Sequence, residues 1–282
     1  MSSASNARDA DDRAAVESNR VLWNTWADLH VGSDFYDVEG FLADPDSRPL
    51  DSIERELIGD VAGARLLHLQ CHFGLDTLRF ARMGAYATGV DFSENAIHAA
   101  RDLSERSGIP ATFVHADVTD LPLAVEQGSF DVVFTSYGTI TWLPDLSPWA
   151  SGIASRLKPG GRFHIIDMHP TLWVFDEELA EPPIRVRYSY FDCEAVRFER
   201  TGSYAVPDAD IVSVEHSWQH TFEDIVGSLR AQGLVIESLR EYPKIAWQHM
   251  PFMVQDAEGF WVLPAGMPEI PLLFSVTARK PA

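Results

Sequence analysis

Basic residues are scarce in this chain: 22 Lys and Arg stand against 42 Asp and Glu, a formal charge of −20 at pH 7. A polyanionic backbone is repelled by such a charge unless a local basic patch offsets it, and the cations are scattered without one. No nucleic-acid partner is expected, and an acidic carrier protein is disfavoured for the same reason. Long apolar runs are missing too. No stretch approaches the roughly 20 residues that cross a bilayer, so no membrane partner is expected. Met1 to Arg20 is polar, mixes Arg8, Arg13 and Arg20 with acids, and has no apolar segment of the secretory kind. Cysteine is down to two, Cys71 and Cys193, which gives no disulfide framework. A cytoplasmic protein is expected.

What remains is ordinary globular material. The 282 residues are 46% apolar and 23% charged, enough for one good core with a cap. Residues 1–16 are Ser/Ala/Asp-rich and read as a flexible arm. Residues 17–60 read as a helical cap. Val21, Leu22, Trp26 and Leu29 space an amphipathic helix over 17–30, then comes a loop with Gly32, Pro45 and Pro49, then a helix over 50–58.

From Arg65 short apolar runs alternate with helical segments. Strands are expected at 65–69, 87–90, 111–115, 130–136 and 162–167, the last after a turn at Lys158–Gly161. Helices are expected at 75–83, 95–106 and 147–157. This alternation means a parallel sheet with helices on both faces, a Rossmann-like α/β core over 61–169. Residues 170–220, with the alternating run Arg185 to Tyr190, suit an antiparallel insertion that caps the substrate. Residues 221–282 complete the sheet: Thr221 caps a helix over 222–231, and strands follow at 234–240 and 272–279.

In an open parallel sheet, ligands sit beyond the C-terminal strand ends where strand order reverses. Asp91 closes the second strand, about 20 residues after the first turn, where an acid can accept both hydroxyls of a ribose. Phe92 follows it, and Ser93 can cap the next helix. Asp117 closes the third strand, placed for an adenine amino group, with the Val118 N–H beside it. Either acid alone is as readily a loop residue; both at the right strand ends point to a nucleoside site.

These residues resemble the class I S-adenosylmethionine-dependent methyltransferases, in particular their bacterial small-molecule branch. Gly89-Val90-Asp91-Phe92-Ser93, Ala116-Asp117, Ser129 to Val133 and Leu157 to Phe163 match that family's successive motifs in order. The resemblance covers somewhat over a third of the chain closely. It implies a seven-stranded, mainly parallel sheet, S-adenosyl-L-methionine as cofactor, and cofactor contacts from the first turn. That turn is His68-Leu69-Gln70-Cys71-His72-Phe73-Gly74, where the common form is acid–Leu–Gly–Cys–Gly–x–Gly. Only Gly74 survives of three glycines, so Gln70 and His72 must take ordinary backbone angles or carry strain. His68 replaces the acid that helps hold the cofactor's ammonium group. The looser flank match brings Trp26, His30 and Tyr36 to the cofactor's side. A dinucleotide reading fails, because Gln70 and His72 obstruct the close backbone approach a pyrophosphate needs.

Methyl transfer from a sulfonium is an in-line displacement, and the protein mainly aligns the acceptor and excludes water. Ser136 and Tyr137, after the fourth strand, lie where donor and acceptor meet. Candidate catalytic side chains are Tyr137, His169 beyond the 162–167 strand, and His220 in the alternating run His216-Ser217-Trp218-Gln219-His220. For each, packing or loop capping is a competing role. No metal site is expected, because no third ligand converges on His216 and His220. The acceptor is expected to be a small, apolar or aromatic molecule taking the methyl on oxygen or nitrogen, and a homodimer is compatible. Two alternatives stand beside this: a non-catalytic binding or scaffold protein, or another transferase using a related sulfonium cofactor.

Overall fold

The computed structural model describes residues 2–44, 50–192 and 194–282. Cys193, and Pro45 and Pro49 of the expected loop, lie outside the described residues. The chain opens with helix α1 (Ser2–Val31), so residues 2–16 are the first half of a helix rather than the flexible arm their composition suggested. Tertiary contact supplies what propensity does not. Ala15, Leu22, Trp26 and Ala27 are buried, and Trp218 Nε1 donates to Asp12 Oδ1 at 3.1 Å. Helix α2 (Val38–Ala43), which sequence spacing did not reveal, is capped by the Asp37 carboxylate. Helix α3 (Ser52–Ile58) starts at the capping box of Asp51 and Glu54.

The core elements follow as β1 (Arg65–Leu69), α4 (Leu75–Arg82), β2 (Tyr86–Asp91), α5 (Glu94–Ser107), β3 (Thr112–His115) and β4 (Phe130–Ser136). Then come α6 (Leu146–Arg156), β5 (Leu157–Met168), β6 (Val196–Thr201), β7 (Val212–Ser217), α7 (Phe222–Ala231) and β8 (Val235–Tyr242). Two short strands, β9 (Val254–Gln255) and β10 (Trp261–Val262), precede β11 (Leu273–Arg279). The seven-stranded sheet has the order β3-β2-β1-β4-β5-β11-β8, with β11 antiparallel to both neighbours and the other strands parallel. Side-chain alternation loads both faces: Leu67 and Leu69 pack with Trp149 of α6 and Leu229 of α7, while Leu66 packs with Phe80 of α4 and Ile53 of α3. Among the described residues, no helix is long and apolar enough to cross a membrane.

The structure departs from the sequence reading in two further places. The expected turn at Lys158–Gly161 lies inside β5, as a bulge where the β4 register shifts from Phe130↔Leu157 to Val132↔Arg162. The antiparallel ribbon of the insertion is β6 with β7, whereas the run Arg185 to Tyr190 contributes only the bridge Phe175↔Val186. Alternation marks which faces a segment presents but does not choose its partner.

One glycine fixes the approach of the first turn to the sheet. A Cβ on Gly89 would lie 2.7 Å from Cys71 Sγ and 2.9 Å from the Phe113 ring. Gly89→Ala is expected to cost about 1–3 kcal/mol through overpacking. Urea unfolding checks this, and an unchanged midpoint would show that Cys71 and Phe113 yield freely.

Candidate functional site

The strand order reverses between β1 and β4, because the chain runs outward from β1 through β2 to β3 and then returns to β4 and β5. The C-terminal ends of these strands open into a cavity of about 1130 Å³. That exceeds the roughly 300–1,000 Å³ of a usual ligand site and leaves room for two molecules side by side.

The first turn forms one wall. Gln70 (φ 53°) and His72 (φ 51°) both take the left-handed conformation, so of the two possibilities they carry local strain. Strain of this kind costs about 1–3 kcal/mol per residue and needs compensation from neighbours. Gln70 Nε2 donates to the Thr139 carbonyl at 2.8 Å. The His72 ring sits among Trp23, His30, Tyr36 and Phe73. The His72 N–H donates to Asp91 Oδ2 at 2.8 Å, and Cys71 N–H to the Val90 carbonyl at 3.0 Å. Gly74 (φ 80°) starts α4 where a Cβ would lie 2.5 Å from the Phe113 ring, so a side chain is excluded there.

Asp91 is 7% exposed and faces the cavity. Oδ2 accepts from His72 and Oδ1 from the Ser93 N–H at 2.9 Å, the Phe92 N–H also acts on the carboxylate, and the group keeps acceptor capacity for a ligand. Burial pushes its carboxyl up to about 6 against the pull of those N–H groups. Asp117 also lines the cavity. Its Oδ1 is taken by Thr119 N–H and Oγ1 at 2.8 and 2.7 Å, and Oδ2 has no partner among the described residues. Phe92, Val118 and Ser136 complete this end.

Tyr137 (φ 49°) follows β4 and faces the cavity, with its hydroxyl buried and unpartnered. Its loop is held from below by Asp167, which accepts from Gly138, Thr139, Ile140 and Met168 N–H groups and from Thr139 Oγ1. Trp26 and Tyr36 line the cavity near Trp23 and Trp142, the ring pairs lying 5.1–5.2 Å apart for Trp23 with Trp142 and Trp26. From the insertion, Tyr204 bonds the Tyr36 hydroxyl.

Five sequence candidates lie outside the lining. Leu69 is fully buried in the core, its carbonyl accepting from Thr135 Oγ1 at 3.3 Å. Ser93 caps α5 and donates to Asn24 Oδ1 at 2.8 Å. His30 stands behind the wall, its ring nitrogens 3.3 Å from His72 Nε2 and 2.9 Å from Ser203 Oγ. Burial pushes it down to about 4, so it is neutral near pH 7. His220 Nε2 donates to the Leu143 carbonyl at 2.8 Å, so that nitrogen is already engaged. His169 has both ring nitrogens engaged, with Thr171 Oγ1 and with Glu241 Oε1 at 2.8 Å, and its ring packs on Phe222. Strand alternation does not reveal depth: Phe222 of α7 and Phe274 of β11 pack on the ring. His169→Gln is accordingly expected to lower stability by about 1–2 kcal/mol and to leave ligand affinity unchanged, read by urea unfolding and calorimetry on one preparation.

Sequence reasoning missed Glu54, Asp76 and Arg79, which line the end of the cavity under β4. The D-x-x-E capping signature at Asp51–Glu54 was readable, but it announces a helix start and says nothing of a site. His68 also lies here, its Nδ1 2.9 Å from Thr77 Oγ1 and its pKa pushed down to about 4 by burial.

Residues 66–161 match the methyltransferase domain family. An uncharacterized methyltransferase of Synechocystis sp. is 34% identical over 135 residues, covering 47% of this chain and 58% of that protein. A ubiquinone biosynthesis O-methyltransferase of Xanthomonas euvesicatoria is 35% identical over 112 residues, covering 40% and 46%. The chain thus spans about half the length of these curated relatives. Among solved structures, an S-adenosylmethionine-dependent methyltransferase from Mesorhizobium loti superposes with a TM-score of 0.57 at 23% identity, over 86% of this chain and all of that one. One from Clostridium acetobutylicum gives 0.56 at 14% identity, over 93% and all. At these identities the likeness is one of fold.

Proposed function

We propose that this chain, which has the class I methyltransferase fold and carries a methyltransferase domain over residues 66–161, passes a methyl group from S-adenosylmethionine to an oxygen of a small, partly aromatic acceptor. The observation that carries the reading is Asp91: a buried carboxylate at the tip of β2, lining the cavity, with acceptor capacity left beyond its backbone bonds. A ribose diol offers the two donors it lacks. In this reading Asp117, with Oδ1 already taken, receives the adenine amino group on Oδ2, with Val118 beside it. When bound, the cofactor supplies a methyl group already activated on a sulfonium.

The chain's own work is alignment and exclusion of water. The strained Gln70 and His72 and the Asp167-held loop fix two walls at the β1/β4 junction. The rings of Trp23, Trp142 and Trp247 give the remaining space an apolar lining suited to a flat organic molecule. Oxygen as the accepting atom is favoured by the O-methyltransferase among the relatives. No nucleic-acid partner belongs to this reading, and the acidic balance of the chain supports leaving it out.

Incubation with methyl-labelled S-adenosylmethionine and a panel of hydroxylated aromatics and aromatic amines tests it. Label transfer to hydroxyl acceptors is expected. Transfer to amines alone would overturn the choice of atom, and tight cofactor binding with no transfer to any acceptor would favour a binding protein.

A further inference from the structure

Among the described residues, four that line the cavity bury a side-chain polar atom without any hydrogen-bond partner, Trp26 Nε1, Glu54 Oε1, Tyr137 Oη and Thr141 Oγ1, and of these Glu54 and Tyr137 act on each other electrostatically. Glu54 is 2% exposed. Its other oxygen, Oε2, accepts the Asp51 N–H at 3.1 Å and closes the cap of α3, which leaves Oε1 as the unpaired oxygen of a residue in the cavity wall. Leaving a buried carboxyl oxygen unpaired is costly, which is why such atoms mark a place where a ligand completes the bonding. The two groups share one environment. Burial first, then Asp76 and Asp51, push the Glu54 carboxyl well up. Burial first, then Glu54, does the same to the Tyr137 phenol. Arg79, paired with Asp76, lines the same end and supplies charge of the opposite sign.

Strand order gives this end its meaning. Asp117 follows β3 and Asp91 closes β2, so a nucleoside held by both lies over that half of the sheet. The remainder of an S-adenosyl ligand then extends towards β1 and β4, where Glu54, Tyr137 and Arg79 stand. That remainder is an α-amino acid, with an ammonium group and a carboxylate. His68, at the first-turn position where the resembled family carries an acid, is neutral and bonded to Thr77. It offers no charge to an ammonium.

We propose that Glu54 Oε1, seconded by Tyr137 Oη, receives the ammonium group of the cofactor's amino-acid end, a carboxyl supplied from α3 in place of one on β1. The assignment rests on the S-adenosylmethionine reading above. It makes α3 part of the binding site and explains why a capping glutamate sits in a cavity wall with one oxygen unpaired.

Calorimetric titration of the full chain with S-adenosylhomocysteine and with 5′-methylthioadenosine, which lacks the amino-acid end, tests it. Glu54→Gln retains an acceptor for the α3 cap and removes a carboxyl that can ionise against an ammonium. It is expected to weaken S-adenosylhomocysteine about 10- to 100-fold, the size of a charge-assisted bond, and to leave methylthioadenosine within about twofold. Tyr137→Phe is expected to give a smaller loss, about threefold to tenfold, for the same ligand only. Equal weakening of both ligands, or of neither, by Glu54→Gln would overturn the assignment. A wild-type chain that binds neither would overturn the cofactor reading itself, and the assignment with it.

Discussion

Asp91→Ala is expected to weaken S-adenosylhomocysteine binding by about 1–3 kcal/mol, roughly fivefold to more than a hundredfold. The carboxylate is the group that can take both ribose hydroxyls, and it also anchors the first turn by accepting the His72 N–H at 2.8 Å. The alanine variant therefore loses ligand bonds and frees a strained turn at once. Asp91→Asn separates the two, since its amide oxygen keeps one backbone bond while its NH2 opposes a hydroxyl donor. An intermediate loss is expected. Unchanged affinity in either folded variant would remove Asp91 from the site.

The same residue predicts a pH dependence. Burial holds its carboxyl at about 6 in the free protein. Hydroxyl donors favour the ionised form, so ligand binding lowers that value and is linked to proton release. Affinity is thus expected to be full above about pH 7 and to fall as pH drops through about 6. A rise in affinity on acidification would contradict the assignment.

Asp167→Ala is expected to be the most damaging substitution to the fold near the site, costing about 3–5 kcal/mol. Asp167 is 2% exposed and takes N–H bonds of 2.6 Å from Gly138 and Met168, 2.9 Å from Thr139 and 3.2 Å from Ile140. Removing it leaves those donors buried and unpaired. Against a total stability of about 5–15 kcal/mol, soluble yield will fall as well. Asp167→Asn keeps one acceptor oxygen and is expected to cost less, about 1–3 kcal/mol, while displacing Tyr137 enough to weaken ligand binding. A urea midpoint equal to that of the wild type in both variants would show that the loop is held by other contacts.

Much of the sheet was legible because strands buried on both faces are short, apolar and separated by helices with their own caps. β1, β4 and α7 fall at the ends expected, and Thr221 caps α7 through the box with Asp224. The Asp91 and Asp117 strand ends were legible for the same reason: a parallel sheet puts such residues at one rim. α1 was under-read because it gains helical structure from packing on the insertion, where Asn19 bonds both backbone groups of His216. No local pattern carries that contact across nearly 200 residues. His169 and His220 were overvalued for a related reason. A histidine at a strand end looks reactive in sequence, yet here Glu241 and the Leu143 carbonyl, both distant in the chain, absorb them. Glu54 was passed over because its capping role is local and visible while its cavity face is neither.

The central claim is that the β1–β4 rim holds S-adenosylmethionine despite a first turn with one glycine. Calorimetric titration of the full chain with S-adenosylmethionine and S-adenosylhomocysteine, with NAD as control, tests it most directly. Micromolar binding of both sulfur nucleosides and none of NAD is the predicted result. Failure of both to bind would mean that Gln70 and His72 close the turn against the cofactor, and the methyltransferase reading of this cavity would fall.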